Sequence, residues 1–215
     1  MWCVPELNER YIANMEDVLG VYEKPYDPKE PVVCLDEKPI TLHADVRPAT
    51  AAKPEREARL DSEYERRGTA NAFLAVEPKA GKHFCFPTPD RTGFQFALVA
   101  LKLAMSYPEA TRIHLVLDNL NIHCQKSLTD AFGSQMGSEV WERFVIHHTP
   151  KHGSWLNQAE IEIGIFSKQC LGKRRIPNLR TLRRESKAWC RRINKAATKI
   201  NWRFDRVAAR KTFGY

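Results

Sequence analysis

The sequence predicts an α/β fold built on a five-stranded mixed sheet flanked by helices. Three observations predict it. Strand-like apolar runs alternate with helix-length segments. An early pair of runs carries a hairpin signal, while the later runs are separated by helical segments in the βαβ manner. No internal repeat or low-complexity tract interrupts that order. At 215 residues, 43% hydrophobic and 28% charged, the chain is long enough for one well-buried domain and too short for two comfortable ones.

Each element follows from its local pattern. In ELNERYIANMEDVLGVYEK, Tyr11, Ile12, Met15, Val18 and Leu19 recur at helical spacing, and the Pro-rich link PYDPKEP ends that piece. VVCLDE, Val32 to Glu37, is a short β-branched run that closes on acids. Residues 41–68 show no sustained period and carry Pro48 and Pro54, so a long loop is expected. TANAFLAVEP and KHFCFPTP read as strands joined at KAG, a hairpin signal. RTGFQFALVALKLAMSYPEA reads as a helix stopped near Pro108. RIHLVLDN is a buried-strand run ending at Asp118, CQKSLTDAFGSQMG a second helical segment, and RFVIHHTP a fifth strand. TPKHGSWLNQAEIE then supplies a loop and the start of a helix. After Pro177 the chain reads as one or two basic helices with Leu179, Leu182, Trp189, Ile193 and Ile200 inward.

Composition excludes several function classes. No run approaches the roughly 18 apolar residues of a membrane span. MWCVPELNER lacks a basic region followed by an apolar one, so no secretory signal is read. Cys3, Cys34, Cys85, Cys124, Cys170 and Cys190 are scattered without a CxxC pair, which excludes zinc ribbons and fingers. They are expected to be reduced and mostly core, in a cytoplasmic setting. Charge is polarised. From Lys168 onward, 16 Lys and Arg face only Glu185 and Asp205, whereas the preceding residues hold 18 basic and 24 acidic residues. Such a density of cations suits a polyanion. Trp189 and Trp202 lie among them, to stack on bases or to fill core.

Acids punctuate the strands. Asp36 follows Val-Val-Cys-Leu and Asp118 follows Leu-Val-Leu, so each carboxylate projects from buried backbone at the sheet's rim. In sheets of this kind ligands bind outside the strands' carboxyl ends. Glu160 and Glu162 open the helix after strand five. Residues two apart on a helix diverge by roughly 200°, so one of them faces a given site, and spacing alone leaves the choice open. Three such carboxylates form an all-oxygen site suited to Mg²⁺ or Mn²⁺. Beside a basic surface, such a site points to a nucleic-acid phosphodiester as substrate.

Four blocks, CLDEKP, DSEYERRGTANAF, HLVLDNLNIH and TPKHGSWLNQAEIE, stand in this order over about residues 32–170. Together they resemble the signature blocks of DDE transposases from bacterial insertion sequences, the branch related to the mariner superfamily. The resemblance implies a ribonuclease H-like (retroviral integrase) fold with strand order 3-2-1-4-5. It implies Asp36, Asp118 and Glu160 as the catalytic, metal-binding triad, with Asp36 shared between two ions. Glu160 aligns with the family's LNxxE glutamate, leaving Glu162, and Glu37 beside Asp36, solvated or structural. The triad members are separated by 81 and 41 residues.

Asn119, His123 and His152 are supporting candidates; His123 could steady Asp118, hold a water or contact DNA. Ser154 and Trp155 are expected to shape the loop before Glu160, with Trp155 as packing. Lys151, Arg91, Lys173, Arg174, Arg175, Arg183 and Arg184 are candidates for DNA contacts. The implied activity is cleavage of double-stranded DNA at transposon ends, then strand transfer into target DNA by the freed 3′-hydroxyl, with TA as the implied target and no covalent protein intermediate. A homodimer in the synaptic complex and work at the bacterial nucleoid, away from any membrane, complete it.

Two other readings stand beside this one: a nuclease of the same fold without strand transfer, and a decayed DNA-binding derivative. Residues 1–30 are expected to be a linker helix with its Pro-rich connection, and residues 31–215 the catalytic domain, including basic helices from about 177. Full-length relatives begin with helix-turn-helix modules, so a truncated or split frame, or a specificity domain on another chain, is expected.

Overall fold

The structure, a computed structural model, describes residues 7–48, 50–57, 59 and 61–215. Cys3 and Trp2 lie outside them. Helix α1 (Glu9–Glu23) begins where the Asn8 side chain accepts the Tyr11 amide at 2.9 Å, satisfying one of the open donors of a first helical turn. Its stripe of Tyr11, Met15, Val18, Leu19 and Tyr22 is buried.

Strands β1 (Val32–Asp45) and β2 (Tyr64–Glu77) pair antiparallel, from Cys34 opposite Val76 to Asp45 opposite Tyr64. The expected loop at 41–68 is therefore shorter than its lack of period suggested. Thr41–Asp45 and Tyr64–Gly68 are held extended by the cross-strand ladder, with a register shift between Thr41 and His43. Strand β3 (Lys82–Thr88) completes the hairpin across a turn in which Gly81 takes φ +66°.

Helix α2 (Gly93–Met105), strand β4 (Ile113–Leu117) and strand β5 (Phe144–His148) fall where their patterns place them. The segment between the last two is a pair of helices rather than one: α3 (Gln125–Phe132) and α4 (Ser134–Glu142) meet at Gly133, whose φ of +84° no helix interior accepts. Gly137 lets the elbow close, since a Cβ there would stand 2.6 Å from the Thr129 backbone. A 3₁₀ turn (Ser154–Leu156), helix α5 (Ala159–Phe166) and a π turn (Ser167–Leu171) follow. Helix α6 (Leu179–Ala196) is capped by Asn178 and α7 (Arg206–Phe213) by Asp205. Ile200 falls in the coil between them, half-buried, its amide donated to the Pro78 carbonyl at 3.0 Å.

Sheet order is β3-β2-β1-β4-β5, with β1, β4 and β5 parallel and the hairpin strands antiparallel. Strand alternation divides the side chains between two faces. Val33, Leu35, Phe73, Leu115 and Leu117 pack with α2, α3 and α4. Cys34, Val76 and Val116 pack with α1 and α7, and Ile40, Ala72 and Leu74 with α5 and α6. Both tryptophans of the basic region are packing residues. Trp189 is buried edge-on to Phe166, and the Trp202 indole donates to the Phe204 carbonyl at 2.6 Å. The five described cysteines are free thiols, Cys34 and Cys170 buried and the others half-buried. No helix among the described residues is long and apolar enough to cross a membrane.

Candidate active site

The parallel register of β1 and β4 pairs Cys34 with Val116. Asp36 and Asp118 each follow that pair by two residues, so the two acids leave neighbouring strands at the same level of the sheet. Asp36 Oδ1 accepts the Glu37 amide at 2.7 Å, and Asp118 Oδ1 accepts the Leu120 amide at 3.2 Å. Each carboxylate is thereby steadied through one oxygen.

Glu160 stands on α5, near enough for its charge to act on Asp36. Asn157 anchors the start of that helix to β1: its Nδ2 donates to the Leu35 carbonyl at 2.9 Å, while its Oδ1 accepts the Ala159 amide at 3.1 Å. The helix is thus tied to the residue next to Asp36. Buried Asn157 is a site residue the sequence did not single out, although it stands inside the quoted LNQAE; only its partner across 122 residues reveals its task.

The charge of Glu160 is felt at Asp36. Burial is the main reason the Asp36 carboxyl is pushed up to about 7, the charges of Glu37, Asp118 and Glu160 add to it, and the Glu37 amide opposes. None of the ion pairs among the described residues includes Asp36 or Glu160. A half-buried carboxyl raised by burial and by its acidic neighbours is short of a cation, and Asp36, Asp118 and Glu160 would offer it oxygens alone. That set fits Mg²⁺ or Mn²⁺.

His123 governs Asp118. Its Nδ1 lies 2.9 Å from Asp118 Oδ1 and its Nε2 2.5 Å from Glu37 Oε1. Burial acts to lower the imidazole, but the two carboxylates outweigh it and push His123 up to about 10. Asp118 responds in kind: burial would raise it, yet the hydrogen bond and charge of His123 hold it below the usual carboxylate range. Glu37, Asp118 and His123 offer ligand atoms within 4.8 Å of one another. Nε2 hydrogen-bonds Glu37 Oε1, and Nδ1 faces both the Asp118 carbonyl, at 3.3 Å, and Asp118 Oδ1. Successive strand residues point to opposite faces, so Glu37 turns toward α2, where His123 packs on Phe96 with ring centroids 4.8 Å apart. Of the roles left open for His123, steadying Asp118 is the one its contacts describe.

The two glutamates of α5 part as their spacing requires. Glu160 is exposed, and Glu162 is 4% exposed, with its carboxylate 3.0 Å from Nε2 of buried His83. Glu162 is therefore structural rather than solvated. Glu37, with a side chain 2% exposed, is buried too.

Residues 31–183 match the family model described as DDE superfamily endonuclease. The chain belongs to that family. Among solved structures, this DDE domain is similar to the Mos1 mariner paired end complex with Mn, at 14% identity and a TM-score of 0.55 over 92% of this chain and 62% of that one. The Mos1 Strand Transfer Complex gives 15% identity and a TM-score of 0.54 over 92% and 61%. The fold is thus the ribonuclease H-like one, and the chain spans about three fifths of the structures it resembles. Comparison with curated protein sequences gives no match.

The remaining candidates of the DDE domain separate by contact. Asn119 Nδ2 donates to the Thr149 carbonyl at 2.5 Å, joining the residue after Asp118 to the loop that leads to α5. Beyond Thr149, the Gly153 amide donates to the Pro150 carbonyl at 2.8 Å, closing a turn in which His152 takes φ +63°. Lys151 and His152 are exposed there and, with Asn119, line a cavity of about 500 Å³ against α1. Trp155 packs edge-on to Phe204.

Arg175 turns inward. Its side chain is 15% exposed and donates to Asp45 and to the Asp61 and Glu63 carbonyls. Arg174 and Arg184 both pair with Glu185, at 2.8 and 2.9 Å. Arg183 makes one long contact, 3.4 Å to the Pro87 carbonyl, and Lys173 and Arg91 are exposed.

Proposed function

We propose that residues 31–215 form the catalytic domain of a DNA transposase of the insertion-sequence type, with α1 as the connection to a DNA-reading part. Asp36, Asp118 and Glu160 are its metal-binding triad. The observation that carries this reading is the parallel register that pairs Cys34 with Val116 and so sets Asp36 and Asp118 side by side, with the Asp36 carboxyl pushed up to about 7 by burial and by the charges of Glu37, Asp118 and Glu160.

Divalent cations, two in this reading, supply counter-charge to the phosphodiester and polarise its oxygens when bound. The chain's own residues hold and aim. Asp36 and Asp118 present free carboxylate oxygens from neighbouring strands, His123 fixes the attitude of Asp118, and Asn157 fixes the helix that carries Glu160. The substrate is double-stranded DNA. Water attacks phosphorus in line at a transposon end, and the freed 3′-hydroxyl attacks target DNA at the same site. Synapsis of two ends calls for a homodimer. Lys151, Lys173 and Arg183 take phosphate contacts in this reading, since none of the ion pairs among the described residues includes them.

The test is cleavage and joining by the purified chain. With Mn²⁺, supercoiled DNA is nicked, and a duplex with an exposed 3′-hydroxyl end is joined to a target plasmid. Asp36→Asn abolishes both and leaves DNA binding nearly unchanged. Nicking without joining identifies a nuclease of the same fold, and nicking by the Asp36→Asn protein removes the triad assignment.

A further inference from the structure

Glu162 has no part in the acid cluster, yet it is buried on the helix that carries Glu160. Its partner His83 lies on β3, at the edge of the sheet, 79 residues earlier in the chain. His83 is itself held from several sides. Its Nδ1 lies 3.1 Å from the Gly81 carbonyl. Asn194 of α6 accepts the His83 amide at 2.7 Å and donates to the His83 carbonyl at 2.8 Å. Trp189 stands edge-on both to the His83 ring and to Phe166 at the end of α5. Gly81 closes the turn against α6, where a Cβ would stand 2.6 Å from the Ala197 backbone.

A buried carboxylate is costly to place, and an apolar residue of similar size would fill the same space without that cost. What the carboxylate adds is attraction to the His83 ring, 3.0 Å away though off the line of a hydrogen bond. Residues two apart on a helix diverge by roughly 200°, so Glu162 held against β3 turns Glu160 away from that strand. Asn157 ties the start of the same helix to β1. With one anchor α5 can still turn about its axis. With two, on β1 and β3, the rotation is set.

The geometry points to His83 and Glu162 as positioning residues: a buried polar pair that fixes the rotation of α5 and so aims Glu160 at the metal site. The inference rests on the proposed metal-dependent reaction and adds two residues to it that touch neither metal nor DNA.

The test is a Mn²⁺ titration of the full chain, followed by electron paramagnetic resonance of free Mn²⁺, alongside kinetics of DNA nicking, all well below each variant's melting temperature. Glu162→Gln is expected to raise the half-saturating Mn²⁺ about tenfold and to lower kcat, with half-saturating DNA unchanged. His83→Gln, which leaves the carboxylate in place, is expected to do the same, and it is the readout if Glu162→Gln does not fold. A purely structural pair would lower the melting temperature and leave Mn²⁺ affinity and kcat at wild-type values, and that result overturns the inference. Asp36→Asn is run in parallel. If it too keeps wild-type Mn²⁺ binding, the metal-dependent reading itself fails; if it alone loses binding, only the positioning role fails.

Discussion

Asp36 and Asp118 stand side by side because the parallel register of β1 and β4 pairs Cys34 with Val116 two residues before them. A slip of that register by one residue would send one of the two acids to the opposite face of the sheet. The carboxylate pair is therefore a property of strand pairing, and its consequences can be measured.

The first concerns pH and metal. Asp36 is raised from 3.8 to about 7, so its contribution to stability is fully present below about pH 4 and is lost as pH rises through 7. The full shift corresponds to at most about 4 kcal/mol, and solvent contact reduces this to about 2 kcal/mol. In EDTA, the wild-type melting temperature is expected to fall between pH 5 and 8 relative to Asp36→Asn. Added Mg²⁺ should recover the difference at pH 8 in the wild type alone. Parallel melting curves with no gap between the two proteins would contradict the assignment.

His123 titrates the other way. Its folded value of about 10 exceeds the usual 6.5, so the stability it supplies is complete below about pH 6.5 and declines as pH rises toward 10. His123→Ala leaves the buried Glu37 carboxylate without its partner, at an expected cost of about 3 kcal/mol near pH 7. Urea unfolding at pH 7 and at pH 10 checks both statements, since the gap between variant and wild type should narrow at the higher pH.

Asn157→Ala removes the donor to the Leu35 carbonyl and the acceptor of the Ala159 amide together. The expected loss is about 2–3 kcal/mol of stability, as for a buried hydrogen-bonding group left unmatched. DNA cleavage at saturating DNA should fall more steeply than DNA binding. Hydrogen exchange of the α5 amides gives an independent reading: they should exchange faster while those of β4 do not.

Lys173 and Arg175 are two residues apart and should behave differently. Lys173→Ala is expected to weaken duplex binding uniformly across sequences and to reduce the salt slope by about 1. Arg175→Ala is expected to act on stability, because it frees Asp45 and the Asp61 and Glu63 carbonyls from a shared partner. Salt titrations of DNA affinity, read beside thermal melts, separate the two.

Much of this architecture could be read before any coordinates, because it depends on local pattern. Apolar periodicity marked α1, α2, β4 and β5, and the hairpin at KAG fixed the antiparallel pair. What escaped had its cause elsewhere in the chain. Residues 41–45 and 64–68 carry no strand pattern and are extended because each supplies the other's hydrogen bonds. The elbow at Gly133 replaced one helix by two, for a reason lying in the backbone contact between Gly137 and Thr129. Glu37 and Glu162 looked interchangeable with solvated acids until His123 and His83 were seen beside them. Arg175 looked like its basic neighbours until its partners in the β1–β2 hairpin were visible.

The amino-acid order by itself determined the succession of strands and helices, the two acids that end apolar strand runs, and the pairing of an acidic body with a basic C-terminal region. Each of these follows from residues close together in the chain. The tertiary structure alone showed how each adjacent or near pair of acids divides: Glu37 shares His123 with Asp118 while Asp36 turns to the other face of β1, and Glu162 is buried beside His83 while Glu160 is exposed. The physical reason is orientation. Neighbouring side chains on a strand, or two apart on a helix, point to opposite sides, and only packing against a third element says which side is the site.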